Sequence, residues 1–539
     1  MSKSEQAFWP GATPLILGRD DDGKSLIAWT DAQTLDPLAA GPLVFVVFDE
    51  PASEDPHGRH ALQMHKTLRQ KYGADVRCAM IYCEPGQKYP PLGSAYNTPD
   101  QRTAATIWRA IGWLGPDLVI ECTPENIDQN DASMLWKAVT VQPVARIGTV
   151  ESALVRLSET TGPAAEQTQQ KVTFTWGQTP LLGKQEFSPL RTELRQRLLR
   201  TPAKCAEQLG VVYGHDLKSV MYQPALAIMA RLDLAAQLDD SNATAEIEKV
   251  LEPWLKKSSA PKTSKQKGVN GSVNAGHLVF AAWAEQTGDP RAIELVRRIA
   301  DQAFDAQGQP LSAMPAHNEM SDAVFMACPI LTSAGRLTGE EKYLNMAQRQ
   351  LRFMQKHCLR SDGLYRHSPL CEAAWGRGNG FPMLGLALAI TDLEAIENDN
   401  SLVESLRSRA TELKQEFLRN LRRHAEALLP HQDPTGMWRQ VIDEPSAYRE
   451  MTATCMIGFT LQRGIDRGWL DAERFQPAVD QAWSAVSKRC STDGVLFDVC
   501  TGTGKMKSLQ DYFDRTAILD RDERGGAMAL LFAVERIRN

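Results

Sequence analysis

At 539 residues the chain is too long for one ordinary hydrophobic core, so its length predicts two domains, or one small domain beside a large toroid. The apolar fraction of 43% and charged fraction of 23% are typical of a soluble globular protein, and the net charge of -6 argues against a general electrostatic affinity for nucleic acid. Residues 1–20 lack the basic end and apolar run of a secretory signal, and no apolar run reaches the ~20 residues that span a bilayer. We therefore predict a cytoplasmic protein without a membrane partner.

The ten cysteines lie far apart, many of them within apolar runs, and no Cys-x-x-Cys pair occurs. This pattern predicts buried free thiols rather than a disulfide framework or a zinc knuckle. No motif in the sequence demands a metal or an organic cofactor, so we predict neither. A homo-oligomer is compatible with the sequence, which leaves the oligomeric state open.

Apolar runs and segments of helical periodicity alternate in the first part of the chain. Residues 42–48, 76–82 and 117–121 read as buried strands, and residues 60–71 and 101–114 read as helices between them. Strands that alternate with helices predict a small parallel or mixed sheet. The expected first domain is therefore a small α/β domain over residues 1–162.

Three segments of this first domain faintly resemble the zinc carboxypeptidase-like and aspartoacylase-like α/β domains. They are residues 89–96, 107–109 and 116–121. Those enzymes hold zinc with a His-x-x-Glu motif shortly after the first strand and a later histidine. Here the first strand leads into Asp-Glu-Pro, and none of the three histidines that follow has a Glu at the required offset. Without a three-ligand set, we predict that this domain is not catalytic.

A polar segment, residues 163–188, is predicted to link the two domains. Beyond it the pattern is helical, and Thr-Gly-acid turns at residues 287–289 and 338–340, about 50 residues apart, each join two helices into a hairpin. Hairpins of this period predict a mainly α fold, an (α/α)6 barrel over residues 189–539, with an open α-solenoid as the structural runner-up. The predicted helices cover residues 190–209, 217–238, 243–255, 274–286, 290–304, 322–337, 340–357, 377–393, 402–428, 448–468, 472–488 and 524–538.

Between residues 318 and 380, four side chains suited to an anionic sugar stand at successive helix ends and loops. Asp322 opens an apolar helix and can exchange a proton with a substrate if its surroundings permit. Arg377 can hold a carboxylate through a two-pronged hydrogen bond, His367 can bond a ring hydroxyl, and Trp375 offers a flat apolar face. The plain alternatives are a helix-capping carboxylate, a satisfied loop histidine and a buried core indole.

A set of short motifs follows a fixed order through the second domain. They are Asp322 with Phe325-Met326 and Pro329, Arg336-Leu337-Thr338-Gly339, Gly363-Leu364-Tyr365 with His367, Trp375-Gly376-Arg377-Gly378-Asn379-Gly380, Gly436-Met437-Trp438, residues 448–454 with Glu450, Asp493-Gly494, and Gly502-Thr503-Gly504. Each motif is weak by itself, but the ordered set resembles glycoside hydrolase families 105 and 88, the unsaturated rhamnogalacturonyl and glucuronyl hydrolases, and family 105 more closely. The resemblance covers roughly residues 217–539.

The resemblance implies an (α/α)6 barrel that removes a 4,5-unsaturated uronic acid from the non-reducing end of acidic oligosaccharides. The family chemistry is hydration of the vinyl ether between C4 and C5, and Asp322 matches the catalytic acid and base. His367 and Arg377 match positions that bind the substrate near the unsaturated ring. The predicted substrate-binding residues are His367, Trp375, Arg377, Asn379, Glu319 and Asn274.

The chain also departs from the family pattern. The family has a second Asp just before the helix predicted at residue 274, where residues 269–272 contain no carboxylate. Relatives tend to have Trp where this chain has Met320 and Phe381. Three glutamates are candidates to replace the missing carboxylate: Glu319, Glu372 and Glu450. The competing functions are therefore a related toroid that acts on saturated uronides or as a lyase, and an inactive sugar-binding or regulatory protein.

Overall fold

A computed structural model of the protein describes residues 7–55, 57–85, 87, 101–123, 151–160, 171–176, 187–257, 270–315 and 319–538. The chain forms two compact units. The first comprises Met1–Leu199, Pro445–Tyr448 and Thr516–Asp520, and the second comprises Arg200–Glu444, Arg449–Arg515 and Arg521–Asn539. Residues 89–96, the first of the three segments that resemble zinc carboxypeptidase-like domains, lie outside the described residues. Most of the predicted linker also lies outside them.

The first unit contains a sheet whose described strands have the order β1-β2-β4-β3-β5-β6-β7. The centre, from β4 through β6, is parallel, and the pairs at both edges are antiparallel. The elements are β1 Thr13–Arg19, β2 Ser25–Thr30, β3 Leu43–Phe48, α1 Arg59–Tyr72, β4 Arg77–Tyr82, α2 Arg102–Leu114, β5 Leu118–Thr123, β6 Glu151–Thr160, β7 Lys171–Trp176, α3 Pro189–Leu199 and the separate strand β9 Ala517–Asp520.

The predicted strands at residues 42–48, 76–82 and 117–121 correspond to β3, β4 and β5. Every residue of β3 and β4 is buried, which is typical of the centre of a parallel sheet and explains why their apolar runs are continuous. The edge strands were not predicted, because their apolar and polar residues are mixed and the runs are short.

The first unit ends later than the sequence predicted. Strand β7 lies inside the predicted linker, residues 163–188, and pairs with β6. Helix α3 is also fixed to the sheet, since Nη1 of the fully buried Arg191 lies 2.5 Å from Oδ2 of Asp117. The other oxygen of Asp117 accepts a hydrogen bond from the backbone of Ser188 at 2.8 Å. A buried ion pair between distant segments leaves no periodic pattern in the sequence.

The second unit is helical, apart from one described strand. Two short 3-10 turns, Asp301–Ala303 and Leu429–His431, extend two of its helices. The elements are α4 Pro202–Gly210, α5 Tyr222–Gln237, α6 Ser241–Lys257, α7 Gly271–Gly276, α8 Leu278–Thr287, α9 Pro290–Ala300, α10 Ala323–Thr338, α11 Glu341–Cys358, α12 Gly376–Asn398, α13 Glu404–Leu428, α14 Met451–Asp466, α15 Ala472–Arg489, β8 Leu496–Cys500, α16 Leu509–Phe513 and α17 Glu523–Glu535.

The described helices of this unit form an inner and an outer ring. In the inner ring α5 contacts α7 and α8, which contact α10, and the ring closes through α12, α14 and α17 back to α5. Helices α4, α6, α9, α11, α13 and α15 pack outside them. The inner helix α14 is buried on all sides over most of its length, whereas the outer helix α11 buries one face. This architecture is an (α/α)6 barrel, and the predicted fold class is confirmed.

Two predicted helices are each divided in the structure. The helix predicted at 190–209 is broken before Pro202, where Thr201 caps the new helix α4 through its side chain. The helix predicted at 274–286 becomes α7 and α8, which meet at His277. All ten cysteines are free thiols, and nine of them are buried. Within the described ranges, no helix is long and apolar enough to cross a membrane.

Candidate active site

The six inner positions of the barrel share one direction, because each inner helix follows an outer helix that runs the opposite way. The N-terminal ends of α5, α7, α10, α12, α14 and α17 therefore lie at the same mouth of the barrel. Helix N-termini expose unpaired backbone N–H groups and a positive partial charge. This mouth is suited to an anionic ligand.

Asp322 lies at the N-cap position of α10, but its carboxylate does not cap the helix. The side chain is buried, at 7% exposure, and its Oδ1 has no hydrogen-bond partner. By contrast, Asp289 and Asp471 start outer helices and accept backbone N–H bonds from Arg291 and Arg474. Helix capping, the alternative role that the sequence left open for Asp322, is therefore not observed.

His367 presents its imidazole edge to Asp322. Its Nε2 is 3.4 Å from Asp322 Oδ1, without the geometry of a hydrogen bond, and both atoms lack partners. The Nδ1 atom is 2.9 Å from the hydroxyl of Tyr512, which fixes the orientation of the ring. The backbone of His367 also accepts a hydrogen bond from Ser321 N at 2.9 Å. These bonds hold the imidazole beside the carboxylate, and both side chains are buried.

Trp375 and Arg377 pack beside this pair. The Trp375 ring lies 4.3 Å from the His367 ring and 4.6 Å from the Arg377 guanidinium, measured to ring centroids, and is only 1% exposed. Its indole Nε1 has no hydrogen-bond partner. Since both neighbours cover it, Trp375 forms a wall of the site, and the flat open face predicted from the sequence is not present.

The guanidinium of Arg377 is buried and bonded to neutral oxygens. It donates to the carbonyls of Cys500 at 2.8 Å and Thr501 at 2.7 Å, and to the Thr452 hydroxyl at 3.3 Å. Burial acts to lower its pKa, but neighbouring groups, among them Tyr222 and the Asp322 carboxylate, outweigh burial and raise the pKa above its usual value. Arg377 is therefore a fixed positive charge at the mouth.

Gly378 allows the close approach of these elements. A Cβ atom at this position would lie 2.9 Å from Oγ of Ser321 and 3.2 Å from the Trp375 ring. Because both neighbours are buried, any larger residue would push the segment that carries Asp322 away from α12.

Comparison with known proteins identifies the family of the second unit. The profile described as Glycosyl Hydrolase Family 88 matches residues 219–539, more than half of the chain. The chain belongs to this family. This family assignment agrees with the resemblance to families 88 and 105 that the ordered sequence motifs indicate.

Relatives with a described activity match only part of this family member. An unsaturated 3S-rhamnoglycuronyl hydrolase of Alteromonas sp. (strain LOR) is 27% identical over 186 residues, which cover 32% of this chain and 42% of the relative. The unsaturated rhamnogalacturonyl hydrolase YesR of Bacillus subtilis (strain 168) is 24% identical over 202 residues, 36% of this chain and 52% of the relative. The chain thus spans about half the length of the curated relatives it matches.

Solved structures share the barrel fold. A family 105 glycoside hydrolase of C. acetobutylicum ATCC 824 superposes with a TM-score of 0.51 at 18% identity, covering 63% of this chain and 100% of that protein. A family 88 glycosyl hydrolase from Bacteroides vulgatus gives a TM-score of 0.51 at 16% identity, covering 63% and 99%. At these identities the likeness shows the fold alone.

The other predicted substrate-binding residues occupy different surroundings. Asn379 is buried, and its side chain bonds the backbone of Tyr365 and Trp375, so it fixes the segment that leads to His367. Asn274 is buried in α7, on a neighbouring inner helix. Glu319 has a 69% exposed side chain and forms an ion pair with Lys505. The structure thus gathers Asp322, His367, Trp375 and Arg377, with Asn379 as their support, and leaves the Glu319 side chain exposed.

In the stretch where the second carboxylate is expected, the described residues begin with a neutral cap. Asn270 precedes α7, and its side-chain oxygen accepts the Ser272 N–H at 2.9 Å. Of the three glutamates proposed as replacements, Glu319 and Glu372 have exposed side chains that form ion pairs. Glu450 is fully buried, but its carboxylate already accepts four hydrogen bonds. None of the three offers an unpaired carboxylate beside Asp322.

Sequence reasoning missed several side chains of the mouth. Tyr222, at the start of α5, packs edge-on against Phe325 and Phe381. Burial raises the pKa of Tyr222, with Arg377 and Asp322 close enough to act on it. Tyr512, which orients His367, was also missed. Both residues enter the site from helices far along the chain, and no local spacing marks them.

Proposed function

We propose that this family 88 member is a glycoside hydrolase that removes a 4,5-unsaturated uronic acid from the non-reducing end of an acidic oligosaccharide. The observation that carries the proposal is the pair formed by Asp322 and His367. A buried carboxylate oxygen and a buried imidazole nitrogen 3.4 Å apart, neither with a hydrogen-bond partner, are costly in a folded protein. They face a mouth whose helix N-termini favour an anion.

Asp322 is the proton donor and acceptor of the proposed reaction. Its carboxyl group gives a proton to C4 of the vinyl ether, and a water molecule adds to C5 while Asp322 takes a proton from that water. The sum of these steps is the addition of one water molecule. The resulting hemiketal rearranges and expels the next sugar, and Asp322 is returned to its starting protonation state.

His367 and Arg377 have separate tasks in this mechanism. Because Tyr512 holds Nδ1 of His367, the unpaired Nε2 remains available to Asp322 and to a polar group of the substrate. Arg377 adds a positive charge that, with the helix N-termini, favours the uronate carboxylate. The relatives named as unsaturated rhamnoglycuronyl and rhamnogalacturonyl hydrolases support this substrate class.

A second carboxylate is not required by the proposed mechanism. Among the described residues around Asp322, the glutamate that lies deepest, Glu450, is committed to capping α14. We therefore assign both proton transfers to Asp322.

The test is an absorbance assay on a panel of lyase-treated pectin, ulvan and glycosaminoglycan fragments. The ultraviolet absorbance of the unsaturated ring should fall with at least one fragment, and Asp322→Asn should abolish the decrease. The matched control is Asp471→Asn, which alters a capping carboxylate on an outer helix and should retain activity.

Three results would contradict the proposal. An increase in absorbance on uncleaved polysaccharide indicates a lyase. No change with any fragment, combined with binding of the fragments, indicates a sugar-binding protein. Full turnover by the Asp322→Asn variant shows that Asp322 is not the proton donor.

A further inference from the structure

Three side chains with metal-binding atoms meet inside the first unit, away from the barrel. Asp31 directly follows β2, His65 lies on α1 and Cys78 lies on β4. Their ligand atoms all lie within 4.8 Å of one another, and Nε2 of His65 is 3.4 Å from Oδ1 of Asp31. Among the described residues, no other three such side chains bring their ligand atoms close enough together to hold a metal ion.

The histidine of this cluster has an unsatisfied nitrogen. The His65 side chain is 90% buried, being 10% exposed, and its Nε2 has no hydrogen-bond partner. The ring stacks on Trp9, with centroids 5.0 Å apart and planes 19° from parallel, so its orientation is fixed. Nε2 lies 3.4 Å from the Asp31 carboxylate, without the geometry of a hydrogen bond, and close to the Cys78 thiol. Side chains that share a metal ion have this arrangement.

The carboxylate is held in place by its own neighbours. Trp9 Nε1 donates to Asp31 Oδ1 at 2.8 Å, and the backbone N–H of Cys78 donates to Asp31 Oδ2 at 2.9 Å. Such outer contacts orient metal ligands in known sites, and their loss weakens metal binding. Trp9 therefore supports two of the three side chains, His65 by stacking and Asp31 by a hydrogen bond.

The donor set selects the class of metal. A thiolate, an imidazole and a carboxylate together suit zinc and similar transition metals, whereas calcium and magnesium prefer oxygen alone. Zinc bond lengths of about 2.0–2.3 Å in a tetrahedron place neighbouring ligand atoms about 3.3–3.6 Å apart. The 3.4 Å separation between His65 and Asp31 already falls in this range.

We propose that Asp31, His65 and Cys78 bind a zinc-class divalent cation that ties β2, α1 and β4 together. Binding replaces the thiol proton of Cys78, which passes to solvent, with a metal–sulfur bond, and no electron is transferred. Cys78 is fully buried in the core of the unit, so we assign the ion a role in the stability of the fold. The three side chains leave one position of the tetrahedron to a water molecule. The ligands lie at residues 31, 65 and 78, too far apart in the chain for a short sequence motif to indicate the site.

The experiment measures metal in the full-length protein. Protein purified without chelator should contain one zinc-class ion per chain by mass spectrometry. After removal of the metal with a chelator, cobalt(II) should restore binding, with a thiolate-to-cobalt charge-transfer band, and should raise the melting temperature. Cys78→Ser should lose the band, and His65→Ala should lose most of the bound metal.

Two further variants keep the test decisive if the ligand variants fold poorly. Trp9→Phe keeps all three ligands but removes the bond to Asp31, and should weaken cobalt affinity by about 10-fold. Cys122→Ser, which alters another buried thiol of the same unit, should bind cobalt as the wild type does. If the wild type binds no cobalt, or if Cys78→Ser retains the charge-transfer band, the proposal is wrong.

Discussion

Two carboxylates at the mouth of the barrel precede inner helices in the same way and are used in opposite ways. Glu450, before α14, accepts bonds from the backbone of Thr452, Ala453 and Cys500 and from the Thr452 hydroxyl. Asp322, before α10, caps nothing, and its Oδ1 has no partner. An unpaired buried carboxylate oxygen costs stability, whereas a satisfied one contributes to it. The comparison separates a carboxylate that stabilises the fold from one that does not cap its helix and that we propose as the proton donor.

The largest expected effect is on activity at Asp322. Asp322→Asn should lower turnover of the unsaturated substrate by about 10²–10⁴-fold, because a general acid contributes a factor of this size. The free energy of unfolding should stay the same or rise, because no capping bond is lost and a buried carboxylate oxygen without a hydrogen-bond partner loses its charge. Steady-state kinetics and urea unfolding of the same preparation measure both quantities. A variant that unfolds much more easily would show that Asp322 supports α10 after all.

The next effect is on stability at Glu450. Glu450→Ala should lower the free energy of unfolding by about 3 kcal/mol, because it leaves buried donors of Thr452, Ala453 and Cys500 unsatisfied. Glu319→Ala is the control, since an exposed ion pair contributes at most about 1 kcal/mol. If Glu450→Ala and Glu319→Ala have equal unfolding midpoints, the hydrogen bonds of Glu450 do not stabilise the fold, and the contrast with Asp322 is lost.

A third carboxylate, Asp433, extends the comparison to pH. Burial acts to raise its pKa, but Arg449 and Arg439 outweigh burial and lower it to about 2, from an ordinary value of 3.8. A lowered pKa contributes stability above the ordinary value, and this contribution is lost as the pH falls from about 4 to about 2. The loss is about 2 kcal/mol.

The measurement is the free energy of unfolding as a function of pH. Wild-type protein should lose this stability over the acid range, whereas Asp433→Asn should start less stable and show a flatter profile. Parallel profiles for the two proteins would mean that Asp433 is not held by its arginines.

The smallest effect concerns the orientation of His367. Tyr512→Phe removes the hydroxyl that bonds Nδ1, a contact of about 1 kcal/mol, and should lower kcat by about fivefold. Tyr343→Phe is the matched control, because its hydroxyl bonds Asp301 on the outer ring. If both variants keep the wild-type kcat, the reaction does not depend on the bond between Tyr512 and His367.

Much of the fold could be predicted because its elements have strong periodic patterns. The long helices α10, α11, α13 and α15 begin and end within a few residues of their predicted bounds. Strands β3 and β4 were found because every position is buried and every position except Arg77 is apolar. The antiparallel edges of the sheet were not, because pairing with a distant strand, rather than local pattern, defines them.

The sequence alone determined that the second unit is a barrel of helix hairpins, because the helix periodicity and the turns between helices are local patterns. The roles proposed for Asp322, His367, Trp375 and Arg377 come from the resemblance of ordered motifs to families 105 and 88, and they remain predictions. Only the tertiary structure decided that Asp322 does not cap its helix, that Glu450 does, and that Trp375 is covered. Glu450 bonds both the first turn of its own helix and the Cys500 N–H, while His367 and Arg377 pack over Trp375. These contacts depend on how the chain folds around each side chain, which the local residue pattern does not record.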